Sequence, residues 1–282
     1  MMTHAHDPKT IFILVHGSWH GAWCWQPVIT HLNQAGMIAL SVELPGHGLQ
    51  ADPLTAGQDL ATMVSPLAQV PTAGYTDAVI KAARRARAMG AERVIAVGHS
   101  MGGMPITFAA AKEPALFSGL TYVCAIMPTP GKPAGAYLQT KTHINSSKIV
   151  DVLVADPAVV GSLRINPRSD DPAYQDALKQ ALAADMPDDL WRAVVHLLTP
   201  DAPAAFYGEE VDFTDGFAAL KRISICAGED RILGSAVSQM IIDDFNQAFA
   251  DHPTQRVDIK GASHEVIFSQ PERLAQNLIS KI

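Results

Sequence analysis

Cysteine is scarce in this chain: three residues among 282, namely Cys24, Cys124 and Cys226. Their odd number and wide separation exclude a disulfide framework, and no Cys/His spacing suits a zinc site. They read as small buried hydrophobes in a reducing compartment, so a cytoplasmic location is expected. Positive charge is also short. Lys and Arg number 21 against 28 Asp and Glu, a formal net charge of −7. The one basic cluster, KAARRAR (Lys81–Arg87), reads as the wet face of a helix, and no nucleic-acid partner is expected. No run of 18 apolar residues occurs, so no membrane span is expected. The opening MMTHAHDPKT has neither an apolar core nor a small-residue cleavage site, and no secretory signal is expected from it. The 11 histidines are scattered without helix or finger spacing. No metal and no cofactor is therefore expected.

What is abundant is apolar residue, 48% of the chain, enough for the large core of one α/β domain. Six short runs rich in Val and Ile recur: IFILV (Ile11–Val15), IALSVEL (Ile38–Leu44), RVIAV (Arg93–Val97), GLTYVCAI (Gly119–Ile126), RISICA (Arg222–Ala227) and QRVDIK (Gln255–Lys260). Most are continuously apolar rather than alternating, the signature of strands buried on both faces of a parallel sheet. Helical patterns lie between them, over Trp25–Ala35, Thr76–Met89, Gly103–Lys112, Ser235–Ala250 and Pro271–Ile282. The alternation predicts a six-stranded, mostly parallel sheet flanked by helices. Two segments break the rhythm. Pro45–Gly74 is rich in Pro and Gly with weak periodicity, and reads as a long functional loop near the site's rim. Met127–Phe217 carries three amphipathic patterns (INSSKIVDVLVAD, PAYQDALKQALAAD and PDDLWRAVVHLL) and no strand. The expected organisation is a core of residues 1–127 and 218–282 with a helical cap, residues 128–217, inserted after the fourth strand.

Gly98-His99-Ser100-Met101-Gly102 fits G-x-S-x-G, with the RVIAV strand before it and the GMPITFAAAK helix pattern after it. That strand–turn–helix setting is the context of a nucleophile elbow. A serine hydroxyl is a weak nucleophile and needs a base within hydrogen-bond reach, which needs an orienting acid. Asp230 falls just after the fifth strand run and His264 just after the sixth, both at the sheet edge where Ser100 emerges. Glu229 is the competing acid, and Asp230 is favoured. His99, inside the elbow, is expected to pack rather than react. An oxyanion would need two N–H donors: the backbone of Met101, beside the serine, and that of Ser18, after the sharp His16-Gly17 turn.

With those residues placed, LVHGSWHGAWCW, GHSMGG, GEDR and GASHEVIF together resemble the α/β-hydrolase superfamily. Within it the chain resembles the branch of plant methylesterases, hydroxynitrile lyases and bacterial pyrethroid-type carboxylesterases, over most of its length. The resemblance implies the α/β-hydrolase fold, a triad at Ser100, His264 and Asp230, and oxyanion donors at Ser18 and Met101. Lyases of this branch carry threonine after the first histidine and lysine after the catalytic histidine. Gly17 and Glu265 stand there instead, so the cation that would steady a departing cyanide is replaced by an acid. Pro45–Gly74 is longer than the corresponding family segment.

The expected activity is hydrolysis of a small hydrophobic carboxylic ester through an acyl-enzyme intermediate. The alternatives are a lyase or cofactor-free oxygenase on the same scaffold, or a hydrolase-fold ligand receptor; a serine nucleophile disfavours dehalogenase and epoxide-hydrolase chemistry. Trp19 and Gly17 are the expected pocket residues. His20 is expected to bond structurally, and Trp23 and Trp25 to begin the first helix and pack on the sheet. The sequence leaves room for a homodimer.

Overall fold

All six apolar runs become strands of one sheet in the computed structural model, which describes residues 9–52 and 59–281. The opening stretch through residue 8, the 53–58 part of the long loop, and Ile282 lie outside the described residues. The sheet strands are β1 (Thr10–Val15), β2 (Ile38–Val42), β3 (Arg93–His99), β4 (Gly119–Val123), β7 (Lys221–Ala227) and β8 (Gln255–Ile259). Two shorter strands, β5 (Ser162–Arg164) and β6 (Asp201–Pro203), lie outside this sheet. The order is β2-β1-β3-β4-β7-β8, and every neighbouring pair is parallel. Burial follows composition. Every residue of the central strands β1 and β4 is buried, while the edge strands β2 and β8 are partly exposed.

The chain enters at β1, steps outward to β2, crosses back to β3 and then winds toward the opposite edge. The winding direction therefore reverses between β1 and β3. Right-handed crossovers then put the β1–β2 helix α1 (Gln26–Gln34) on one face and α2 (Thr72–Ala88) and α3 (Gly103–Lys112) on the other. Helix α2 packs on α3, and α1 packs on the last helix, Pro271–Ser280. At such a reversal the loops leaving neighbouring strand ends diverge, and a crevice opens at the carboxyl edge of the sheet. The loops after β1 and β3 carry Ser18 and Ser100. Among the described residues no helix is long and apolar enough to cross a membrane.

The segment between β4 and β7 departs from expectation in two ways. It contains strands: β5 and β6 pair antiparallel across about forty residues of chain. Three-residue strands are too short to show alternation, and their cause is long-range. Arg164, fully buried, makes a two-pronged ion pair with Asp201, Nε–Oδ1 2.6 Å and Nη2–Oδ2 2.9 Å. The second departure is INSSKIVDVLVAD, which is not one helix. Helix ends at Ser146, and only a single 3₁₀ turn, Val150–Val152, follows. The β-branched run weakens helix propensity. Tertiary bonds also pull the chain straight, since Lys148 N–H donates to Arg231 O (2.7 Å) and Ser147 Oγ to Ile232 O (2.7 Å).

The same Arg164–Asp201 pair organises the described part of the Pro45–Gly74 loop. Arg164 Nη1 donates to the carbonyls of Leu60 and Met63 (2.9 and 2.7 Å), and Ser65 Oγ donates to Asp201 Oδ2 (2.7 Å). The loop is thus fastened to the inserted segment, and none of its described residues lines the cavity at Ser100. The expected place at the site's rim is corrected accordingly for those residues.

Candidate active site

Strand β3 ends at His99, and Ser100 turns the chain with φ 52°, a left-handed conformation that costs a side chain energy. The flanking glycines make the turn feasible. A Cβ at Gly98 would strike the Gly102 carbonyl, and one at Gly102 would lie 2.5 Å from Val15 O. The turn therefore packs directly on the end of β1, and α3 starts immediately behind Ser100.

Asp230 follows β7. Its Oδ1 accepts N–H bonds from Ile232 (2.8 Å) and Leu233 (3.0 Å), which leaves Oδ2 aimed at His264. His264 follows β8. Its Nδ1 lies 3.0 Å from Asp230 Oδ2 and its Nε2 2.9 Å from Ser100 Oγ. The three side chains form one continuous chain of hydrogen bonds, with the His264 and Asp230 side chains each 3% exposed. Glu229, the rival acid, is exposed and contributes only its backbone N–H, to Ala262 O. Burial pulls the His264 pKa down, but the Asp230 charge and hydrogen bond, with Glu265 adding to them, hold it above the usual histidine value. Asp230 is pushed up by burial, yet His264 and the two backbone donors keep it below the usual carboxylate range.

The loop after β1 is held by its own histidines. His16 Nδ1–H donates to Gly17 O (2.8 Å), and its Nε2 accepts the Leu44 N–H (3.2 Å). Burial, reinforced by the neighbouring His47, keeps that ring neutral, its pKa well below the ordinary value, which suits one donor and one acceptor. His20 Nδ1 lies 2.7 Å from Ser18 O, the structural bond expected of it. Ser18 N–H has no hydrogen-bond partner among the described residues. Met101 is the second residue of the helical turn Ser100–Gly102, where the first N–H groups have no partner within the helix. Both expected donors therefore stand at the same sheet edge as Ser100.

An open-mouthed cavity of about 190 Å³ lies above Ser100. Its wall is aliphatic, with Ile126, Leu138, Leu153, Leu163 and Leu233 prominent. Ser18, Ser100, His264, His143 and Tyr207 supply the polar side chains, and among the described residues no Lys, Arg, Asp or Glu lines it. Trp19 is in the wall, as expected. Gly17 is not: a Cβ there would lie 2.8 Å from Ser100 Cβ and 3.1 Å from His99 Nδ1, so Gly17 is the backing of the serine and not pocket surface. Trp25 is buried beneath the sheet edge in the 3₁₀ turn that precedes α1.

Two wall residues carry no sequence signal. Tyr207, in the inserted segment, places its hydroxyl 3.0 Å from Ser18 Oγ. Burial pushes that phenol up to about 12, so it stays neutral. His143 brings both ring nitrogens to 3.1 Å from carbonyls, those of Leu138 and Ile232. Contacts across 189 and 89 residues leave no local pattern to read. His99, His264 and Glu265 are the one group among the described residues close enough to share a metal ion. His264 has both ring nitrogens committed to Ser100 and Asp230, so the set is not a complete ligand shell.

The model of the alpha/beta hydrolase family matches residues 12–277. Methylesterase 4 of Arabidopsis thaliana is 26% identical over 281 residues, covering 96% of this chain and 95% of that protein. The alpha-hydroxynitrile lyase of the same plant is 24% identical, covering 96% of each. Among solved structures, a pyrethroid hydrolase from Sphingobium faniae JZ-2 superposes with a TM-score of 0.76 at 23% identity, covering 96% of both chains.

Proposed function

Because the chain belongs to the alpha/beta hydrolase family, we propose that it is a serine esterase acting on a small, uncharged, hydrophobic carboxylic ester. The observation that carries this reading is the Asp230–His264–Ser100 hydrogen-bond chain opening into a cavity without a charged wall residue. In the resting state neutral His264 donates its Nδ1–H to Asp230 and accepts the Ser100 hydroxyl at Nε2. Ser100 Oγ attacks the ester carbonyl as His264 takes its proton. Asp230 holds the ring in that tautomer and stabilises the imidazolium that forms. The backbone N–H groups of Ser18 and Met101 receive the oxyanion. His264 then hands its proton to the leaving alcohol, and a water activated by the same ring releases the acid from Ser100.

The substrate's character follows from the wall. Residues 128–217 act as a cap that supplies most of the aliphatic surface, and Ile144 and Val150 remain exposed at the mouth. A charged acyl or alcohol group would be stripped of water there with no counter-charge, whereas an aliphatic or aromatic one gains by burial. The methylesterase and pyrethroid hydrolase relatives support ester chemistry on this scaffold. The lyase relative is similar at almost the same identity, so the esterase reading rests on the site's own chemistry. Among the described residues no lysine lines the cavity, and the residue after His264 is the buried acid Glu265. That environment gives a departing cyanide no cation. The test is fluorophosphonate labelling followed by a panel of p-nitrophenyl esters of graded acyl length. Labelling at Ser100 with turnover abolished in Ser100→Ala is expected; undiminished turnover in that variant would refute the assignment.

A further inference from the structure

Behind the reacting face of His264 lies a second acid–histidine chain that the ester chemistry above does not use. Glu265, 1% exposed, directs a carboxylate oxygen to His20 Nε2 at 3.3 Å. The contact is within ion-pair distance but lacks hydrogen-bond alignment, and among the described residues both Glu265 oxygens are otherwise without a partner. His20, also 1% exposed, turns its other nitrogen to the Ser18 carbonyl at 2.7 Å. Both neighbours of the His20 ring are acceptors, the Ser18 carbonyl on one side and the Glu265 carboxylate on the other.

A buried carboxylate is costly unless a cation stands beside it. His99 is a poor source of that charge. Burial pulls its pKa down to about 4, and its one N–H, on Nε2, is spent on the His264 carbonyl (3.0 Å). No Lys or Arg forms an ion pair with Glu265 among the described residues; the side chain within ion-pair distance is His20, and His99 and His264 also face the carboxylate.

The consequence lies in the loop that carries Ser18. Three successive carbonyls are each held: Gly17 O by His16 Nδ1–H, Ser18 O by His20, and Trp19 O by the Thr199 N–H (2.7 Å) and hydroxyl (3.0 Å). Trp19 itself sits at φ 64°, strained for a non-glycine residue. The Ser18 N–H, which lies between these anchors, has no partner among the described residues. We propose that the Glu265–His20 pair is a positioning device that fixes the peptide plane after Ser18, as His16 fixes the plane before it, so that the Ser18 N–H between them is aimed at the oxyanion, and that it ties this aim to the loop carrying His264. Glu265 directly follows His264, so one loop sets both the base and, through His20, an oxyanion donor.

This inference rests on the esterase reading, and the experiment separates the two. Wild type, Ser100→Ala, Glu265→Gln, Glu265→Asp and His20→Gln are assayed with a p-nitrophenyl ester for kcat and KM across pH, with thermal melts as the folding check. Loss of turnover confined to Ser100→Ala supports the esterase reading and overturns the positioning role. For the positioning role, Glu265→Gln should lower kcat by about tenfold or more with KM within about twofold, since full loss of an oxyanion donor costs about 10²–10³ in kcat. Glu265→Asp, which keeps the charge, should recover part of it. The groups facing His264 are Asp230, Glu265 and His99, and Glu265 is the acid removed. The acid limb of kcat/KM should therefore move to lower pH in Glu265→Gln. Wild-type kcat and an unmoved limb in a folded Glu265→Gln would overturn the proposal, as would a raised KM with kcat intact. Should that variant fail to fold, His20→Gln decides by the same kcat–KM split. A wild type with no Ser100-dependent turnover would instead remove the esterase reading itself.

Discussion

Replacing Asp230 by Asn changes one atom and almost no volume, yet the structure assigns it a large effect. The Asn side chain has one oxygen and one amide nitrogen to place. The Oδ1 position faces two N–H donors, from Ile232 and Leu233, at 2.8 and 3.0 Å. An amide NH₂ there would meet donors with donors, so the oxygen takes that place. The NH₂ then falls where Oδ2 stood, 3.0 Å from His264 Nδ1. It must donate to Nδ1, which forces the ring into the tautomer with its proton on Nε2, facing Ser100. A ring already protonated there cannot accept the serine proton. The loss of base function through the wrong tautomer is worth about 10⁴ in kcat in the serine-protease precedent, or about 5 kcal/mol of transition-state stabilisation. The assay is steady-state turnover of a p-nitrophenyl ester by Asp230→Asn, with thermal melting to show that the fold persists. A folded variant within tenfold of wild-type kcat would refute both the tautomer argument and the role of Asp230.

The pH profile offers a second check. His264 must be neutral to act as base and its pKa is held above 6.5, with burial opposed and outweighed by Asp230 and Glu265. Activity should therefore fall as pH drops through a kcat/KM limb lying above pH 6.5, and a limb below that value would contradict the site's electrostatics. Asp201→Ala tests the inserted segment instead. It leaves the buried Arg164 guanidinium without its carboxylate, a loss of about 3–5 kcal/mol in stability. Thermal denaturation should show a melting point lower by about 5–15 °C, and a shift below about 2 °C would show that the pair does not hold the loop and β5–β6 together.

The sheet was legible because its central strands need no partner to announce themselves: TIFILV and GLTYV are buried along their whole length and are mostly apolar. The elbow was legible because its requirements are local, two glycines four positions apart closing on β1 and α3. Asp230 and His264 could be placed because each stands just beyond a strand end, so knowing the strand located the side chain. The β5–β6 pair, the docking of the long loop on Arg164, and the Tyr207–Ser18 contact were not legible. Each depends on residues more than thirty positions apart whose types, a lone Arg, Asp, Ser or Tyr, are as common on a surface as in a core. Glu265 was visible as an unexpected acid after the histidine, but its burial against His20 was not.

Backbone strain shows the same divide more sharply. Among the described residues three non-glycine positions have positive φ: Trp19 at 64°, Ser100 at 52° and Cys124 at 45°. They follow β1, β3 and β4 in turn, and all three line the cavity. Each such residue costs of order 1–3 kcal/mol and persists only where its surroundings over-determine it. Those surroundings are visible. Trp19 O is taken by Thr199 and its indole N–H by Leu163 O, Ser100 O accepts the Ile126 N–H, and Cys124 N–H is bound by Ile225 O. Only the serine's strain has a sequence signature, because its neighbours had to be glycine. The other two are imposed by the inserted segment and by the adjoining strands, which hold Trp19 and Cys124 in the wall once the chain has folded around them. The cavity is thus shaped by strain that tertiary contacts maintain. This is why the triad could be read residue by residue from the sequence while the surface that selects the ester could not.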